Sequence, residues 1–98
     1  MTLAYILSEK APKAIVIHCK TEVEAKQLLQ LLHTRGKTWR SGISYLETTN
    51  WEEYKENTYY NLRAGEYDRK TNYSRRGFTI IPFKKLQIEF KLKPTKEA

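Results

Sequence analysis

The sequence has 98 residues, a formal net charge of +7 from 18 Lys and Arg against 11 Asp and Glu, and 40% apolar residues. This length favours one small domain with a thin core over two domains, and the apolar content excludes a disordered chain. The apolar runs, such as residues 14–17, are far shorter than the roughly 20 residues that cross a membrane, and the single Cys19 excludes an internal disulfide. We therefore expect a cytoplasmic protein with no membrane partner.

The first predicted elements are a strand and a helix. Residues 13–19 are short and rich in β-branched side chains, which is typical of a buried strand. Thr21 and Glu24 form a capping box, in which each side chain accepts a hydrogen bond from the other residue's N–H. Apolar residues then recur at helical spacing, and Gly36 suits the helix C-cap. The pattern predicts one βα unit over residues 13–36.

Gly36, Lys37 and Thr38 match the last three letters of a phosphate-binding P-loop, but they lie in the wrong place. A P-loop follows a strand and precedes a helix, because the N–H groups at the helix start must face the phosphates. Here the helix comes first, so its carbonyl end faces the loop, and Leu31 occupies the position of the first P-loop glycine. We therefore reject the P-loop and interpret Gly36 as a cap.

The rest of the chain is predicted to be mostly β. The predicted elements are a loose strand over 38–45 broken by a turn or bulge, a short helix from Trp51 capped by Asn50, a strand over 58–63, a turn at 64–66, a mobile loop or exposed hairpin over 67–76, a buried strand over 78–81 and a half-buried strand over 86–92.

Together these elements predict an α+β fold in which one main helix packs on a mostly antiparallel sheet, in a β-α-β-β-β-like order. The single domain comprises residues 1–98, with its core at about 13–92 and a loose tail over 94–98. So thin a core often gains stability by burying surface between copies, so we also expect that the protein can form a homo-oligomer.

Catalytic and metal signatures are weak. His18, Cys19 and His33 are the only His or Cys side chains, and they lack the spacing of a zinc site. Ser44 lacks the second glycine of a nucleophile elbow, and no base is tied to it by spacing. The carboxylates of residues 52–56 are typical of a solvated helix face. We expect no enzymatic activity, no metal and no cofactor.

Charge gives the strongest functional signal. Residues 34–46 carry three bases and no acid, residues 47–62 four acids against one base, and residues 63–76 five bases against two acids. We expect the two basic segments to meet around an anion; the alternative is that the basicity reflects composition alone. Arginine pairs with phosphate and aromatic rings stack on bases, so the candidate ligand-binding residues are Arg35, Lys37, Arg40, Arg63, Tyr67, Arg69, Lys70, Tyr73, Arg75 and Arg76.

Three stretches carry a resemblance to a known group of proteins. They are Trp39-Arg40-Ser41-Gly42, the run from Trp51 to Thr58, and Gly77-Phe78-Thr79-Ile80-Ile81-Pro82-Phe83. This arrangement resembles small accessory proteins of tailed bacteriophages and prophages. The resemblance implies an α+β phage protein made in the cytoplasm of the infected bacterium. Some such proteins counter host defence by sequestering a nucleotide signal or by blocking a defence enzyme.

Two hypotheses follow. In the first, the protein binds a nucleotide or nucleic acid through the basic segments. In the second, it inhibits a host defence protein, and the strand over 86–92 pairs through its free edge with that partner or with a second copy. Salt distinguishes them, because phosphate binding weakens with ionic strength and a strand-edge contact hardly does.

Overall fold

The computed structural model describes residues 2–86, and it confirms the α+β prediction. The elements in chain order are helix α1 (Leu3–Leu7), strand β1 (Ile15–His18), helix α2 (Glu22–Thr34), helix α3 (Trp51–Tyr54), strand β2 (Thr58–Asn61), strand β3 (Glu66–Arg69), helix α4 (Lys70–Arg75) and strand β4 (Thr79–Pro82). Short 3-10 turns cover Lys55–Asn57 and Phe83–Lys85. No helix of residues 2–86 is long and apolar enough to cross a membrane.

The strands form one mixed sheet in the order β3-β2-β1-β4. β2 pairs antiparallel with both β1 and β3, in agreement with the expected antiparallel character. β1 and β4 are parallel, with Val16 opposite Ile80. The chain between these two parallel strands contains α2, α3, β2, β3 and α4, so the pairing joins two distant parts of the sequence.

Helix α2 begins after Thr21 and ends before Gly36 as predicted, but only one of the two capping-box hydrogen bonds is confirmed. The Glu24 N–H donates to Thr21 Oγ1 at 3.2 Å, while Glu24 Oε1 accepts from the N–H of Lys20 at 2.8 Å. The carboxylate therefore reaches one residue further back than a capping box requires. At the other end Gly36 takes a φ of 78°, and the Lys37 N–H donates to the Leu32 carbonyl at 3.0 Å, which completes a Schellman motif.

The core lies on both faces of the sheet. Leu28, Leu29 and Leu32 of α2 pack on Ile17 and Tyr60 on one face. The other face has a smaller cluster of Val16, Tyr59 and Tyr73, with Phe78 and Ile80 packed against it. Helix α4 supplies Tyr73, so the sheet has helical cover on both sides and not on one alone.

Several sequence predictions need correction. The segment over 67–76 is neither a mobile loop nor a simple hairpin, because it contains β3 and then α4. The segment over 38–45 has only an isolated bridge between Thr38 and Ser44. Asn50 precedes α3 as expected, but its φ is 57° and its side chain makes no capping bond.

The last two predicted strands also need correction. The strand predicted to be buried over 78–81 is β4, which is partly exposed because it lies at an edge of the sheet formed by residues 2–86. The strand over 86–92 lies outside the described residues except for Leu86, which is buried.

Candidate anion-binding cleft

The loop after α2 crosses the turn that joins β2 to β3. The Arg40 N–H donates to the Gly65 carbonyl at 2.9 Å, and the Gly65 N–H donates to the Asn61 carbonyl at 2.9 Å. Gly65 has a φ of 68°, and a Cβ there would lie 2.7 Å from the Arg40 nitrogen. Only glycine combines this backbone conformation with so close an approach. The two basic segments of the sequence therefore meet at this crossing.

A cleft of about 460 Å³ opens beside the crossing, and we call it the basic cleft. Its three cationic side chains are Lys37 and Arg40 from the loop and Arg63 from the turn. Leu7 and Leu62 contribute apolar surface. Since its lining contains no acidic side chain, the basic cleft presents positive charge over a partly apolar surface.

The three cations differ in how they are held. Lys37 is exposed and has no ion pair within residues 2–86. The Arg40 side chain is 74% exposed, and its Nη1 lies 2.5 Å from Glu66 Oε2, in the single ion pair of residues 2–86. Arg63 is half-buried, and its Nη1 donates to the carbonyl oxygens of Ser8 and Ala11. Arg63 thus links the chain after α1 to the turn, and its positive charge in the basic cleft has no acidic partner within residues 2–86.

Trp39 anchors the loop between Lys37 and Arg40. Its side chain is 6% exposed, and its indole N–H donates to the Thr48 carbonyl at 3.0 Å. The ring packs edge-on against Tyr45 and Tyr67, with centroids 4.7 and 5.6 Å away. The tryptophan therefore belongs to the core and positions the cations on either side of it.

The structure does not bring all ten candidate residues together. Arg35 caps α2, where its Nη1 donates to the Leu31 carbonyl at 3.3 Å. Arg69 lies over the Tyr54 ring, 5.6 Å from the centroid. Lys70 and Arg75 are exposed on α4 and line no part of the basic cleft.

Arg76 is also separate from the basic cleft, and it stacks on two aromatic rings. Its guanidinium carbon lies 5.8 Å from the Tyr73 centroid and 4.9 Å from the Phe78 centroid. The predicted base-stacking tyrosines are unsuited to that role. Tyr73 is 1% exposed, so its ring is part of the core. Tyr67 is half-buried, and its hydroxyl donates to Glu53, which raises the tyrosine pKa to about 12.

Sequence reasoning missed two features of this region. Glu66 had no assigned partner, although it neutralises Arg40 from 26 residues away. Leu7 lies in a segment with no assigned element, yet it lines the cleft. Neither has a local signal in the sequence, because both depend on contacts between distant segments.

The described residues do not form a complete catalytic or metal-binding site. Ser44 Oγ lies 3.5 Å from His33 Nδ1, which is too long for a strong hydrogen bond, and Ser44 Oγ also accepts from the Leu46 N–H. Within residues 2–86, no group of three or more His, Cys, Asp or Glu side chains is arranged to hold a metal ion. Cys19 is fully buried, and burial raises the pKa of its thiol, so it is a poor nucleophile in the folded protein.

Comparisons of the chain with protein-family models, with curated proteins and with solved structures found no match.

Proposed function

We propose that the protein binds a phosphate-bearing ligand, a nucleotide or a single-stranded nucleic acid, in the basic cleft, and that it does so without catalysing a reaction. The observation that carries the proposal is the hydrogen bond from Arg40 to Gly65, because it brings Lys37 and Arg40 beside Arg63. Arginine forks pair with phosphate oxygens through two hydrogen bonds, and the lysine ammonium adds a mobile point charge.

The charge arrangement supports this proposal over a purely structural role. Arg63 is held by main-chain carbonyl groups, which do not neutralise its charge, and Lys37 has no acidic partner within residues 2–86. Glu66 offsets only Arg40. An incoming phosphate would therefore meet at least two uncompensated cations.

The resemblance to phage accessory proteins suggests a setting for this binding. Within the proposal, the ligand is a nucleotide signal or a nucleic acid of the infected bacterial cell, and its sequestration counters host defence. The alternative of a host-protein inhibitor depends on the strand over 86–92, which lies outside the described residues. Homo-oligomer formation stays a prediction.

Salt-dependent binding tests the proposal. The probe is a fluorescent single-stranded DNA of about ten nucleotides, whose anisotropy is followed from about 50 to about 200 mM salt. Affinity should fall linearly on a log–log plot, and Lys37→Gln should reduce the slope by about 0.7, the value for one neutralised phosphate of a single strand.

The matched control is Lys26→Gln, which removes the same charge from an exposed lysine on α2, beside Glu22 and Glu52. It should leave both affinity and slope nearly unchanged. If the two variants weaken binding equally, the probe responds to net charge alone and the basic cleft is not the site.

A further inference from the structure

A buried amide lies next to the basic cleft with half of its hydrogen-bonding capacity unused. Asn61 ends β2 and is 7% exposed. Its Oδ1 accepts from the Ala64 N–H at 3.2 Å, which fixes which end of the amide is the oxygen. Within residues 2–86, its Nδ2 has no acceptor. Buried polar groups without a partner are uncommon, so this donor calls for a function.

Asn61 lines a second opening, which we call the side cleft. It has a volume of about 440 Å³ and is lined by Lys13, Asn61, Arg63, Ala64 and Phe78. Lys13 is exposed at its rim, whereas Asn61 is buried. The side cleft thus combines a deep neutral donor, one aromatic ring and cations, with no acidic side chain in its lining.

The side cleft and the basic cleft are neighbours. Arg63 and Ala64 line both of them, so they lie on either side of the turn between β2 and β3. Phe78 is held on the side cleft by Tyr73, whose ring centroid is 4.9 Å away, and by the Arg76 guanidinium over its ring. A single ligand that contacts Arg63 can therefore extend into both clefts.

These contacts select a particular kind of chemical group. The Asn61 oxygen already accepts one hydrogen bond, whereas Nδ2 makes none within residues 2–86. A ligand acceptor such as a ring nitrogen or a carbonyl oxygen would therefore satisfy the donors that the protein leaves unpaired. Phe78 favours a flat, polarisable group on the part of its ring that Arg76 does not cover, since aromatic rings stack on nucleobases. A second phosphate in the side cleft could pair with Lys13 and Arg63, but it would make no favourable contact with the Phe78 ring.

We propose that the side cleft binds the base of a nucleotide whose phosphate lies in the basic cleft, with Asn61 Nδ2 donating to an acceptor on the base. This inference rests on the proposed function and makes it more specific, because it assigns a nucleotide and not a bare phosphate as the ligand. Guanine, uracil and thymine all carry a carbonyl acceptor that suits this donor.

The test compares ribose 5-phosphate, which lacks a base, with guanosine and uridine monophosphates by isothermal titration calorimetry. The wild-type protein should bind at least one mononucleotide about tenfold more tightly than ribose 5-phosphate, the gain expected from stacking one base. Asn61→Asp keeps an oxygen that accepts from Ala64 and removes the amide donors, but it adds a negative charge near Arg63, so its readout is the ratio of the affinities and not their absolute values. Phe78→Leu removes the ring but keeps apolar bulk. Thermal unfolding of each variant checks that the fold persists.

In both variants the tenfold ratio should fall toward one, and Phe78→Leu should leave the affinity for ribose 5-phosphate unchanged. Lys37→Gln should weaken all three probes and leave the ratio unchanged, because it acts on the phosphate alone. A wild-type ratio near one, or a ratio unaffected by both side-cleft variants, would overturn the inference but leave phosphate binding standing. If the wild-type protein binds none of the three probes, this inference is overturned, and if it also fails to bind the single-stranded DNA, the proposed function is overturned with it.

Discussion

The main-chain N–H of Arg40 donates to the carbonyl oxygen of Gly65 at 2.9 Å, and this hydrogen bond joins the two basic segments of the chain. The contact is possible because residue 65 has no side chain. A Cβ at this position would lie 2.7 Å from the Arg40 nitrogen and 3.0 Å from the Thr38 carbonyl oxygen. The proposed site therefore depends on a contact between two backbone segments, and these segments carry the cationic side chains of the basic cleft.

Gly65→Ala should push the loop after α2 away from the turn between β2 and β3, because the new Cβ clashes with main-chain atoms of the loop. Since alanine is also strained at this positive φ, the free energy of unfolding should fall by about 2 kcal/mol or more. Urea unfolding measures the loss. Gly77→Ala is the matched control, since Gly77 has a φ of 78° but nothing within 4 Å of its would-be Cβ. Equal losses in the two variants would mean that the crossing is looser than described.

Glu66→Gln should strengthen phosphate binding. The change removes the carboxylate that pairs with Arg40 and lowers the negative charge beside the basic cleft. Because exposed ion pairs contribute up to about 1 kcal/mol, affinity for pyrophosphate should rise about twofold to fivefold at low salt. Glu47→Gln removes the same charge at an exposed position away from this cleft and should have little effect. An unchanged or weaker affinity in Glu66→Gln would argue that Arg40 does not contact the ligand.

Arg63 should prove to have two separable roles. Arg63→Lys keeps the charge but has a shorter side chain that does not place a nitrogen where Nη1 donates to the Ser8 and Ala11 carbonyls, so it should cost about 1–2 kcal/mol of stability with pyrophosphate affinity kept within about twofold. Arg63→Gln should lose comparable stability and also weaken binding markedly. Urea unfolding and calorimetry on the same samples distinguish the two effects. Full binding by Arg63→Gln would exclude this side chain from the site.

Stability should decrease in alkaline solution. Burial raises the pKa of both Tyr45 and Tyr73 from 10.0 to about 12. Between these values the folded protein holds protons that the unfolded chain has released, so the free energy of unfolding falls as the pH rises from about 10 to about 12. Their contribution is complete below pH 10. Tyr73→Phe should flatten this decline, measured by urea unfolding at several pH values, whereas Tyr5→Phe at an exposed position should not.

Local signals made α2 predictable. Its cap at Thr21, its apolar face and its Schellman glycine all lie within one continuous stretch, and each acts over a few residues. Helix α4 has no such pattern. Among its six residues only Tyr73 is buried, so its position depends on packing against Val16 and Tyr59 on a sheet that must form first. A single buried ring within a basic run is easily interpreted as part of an exposed segment.

The same distinction applies to the site. The charge pattern left open whether segments 34–46 and 63–76 meet, since like charges repel and give no reason for contact, and the meeting is visible only in the Arg40–Gly65 hydrogen bond. It could not show which cations face one another. Which cations line the basic cleft depends on the Arg40–Gly65 crossing and on the pairing of β2 with β3. These contacts place Arg63 in the basic cleft and leave Arg69 and Lys70 outside it.

The central claim, that phosphate binds where the loop crosses the turn, is tested most directly by titrating ¹⁵N-labelled protein with pyrophosphate at low salt and following the backbone amide resonances. We predict that the largest shifts occur at residues 36–40 and 62–66, while α2 around Lys26 and the amides of α4 change little. Shifts concentrated on α4, shifts spread evenly over all lysine-bearing surfaces, or no shifts at all would contradict the claim.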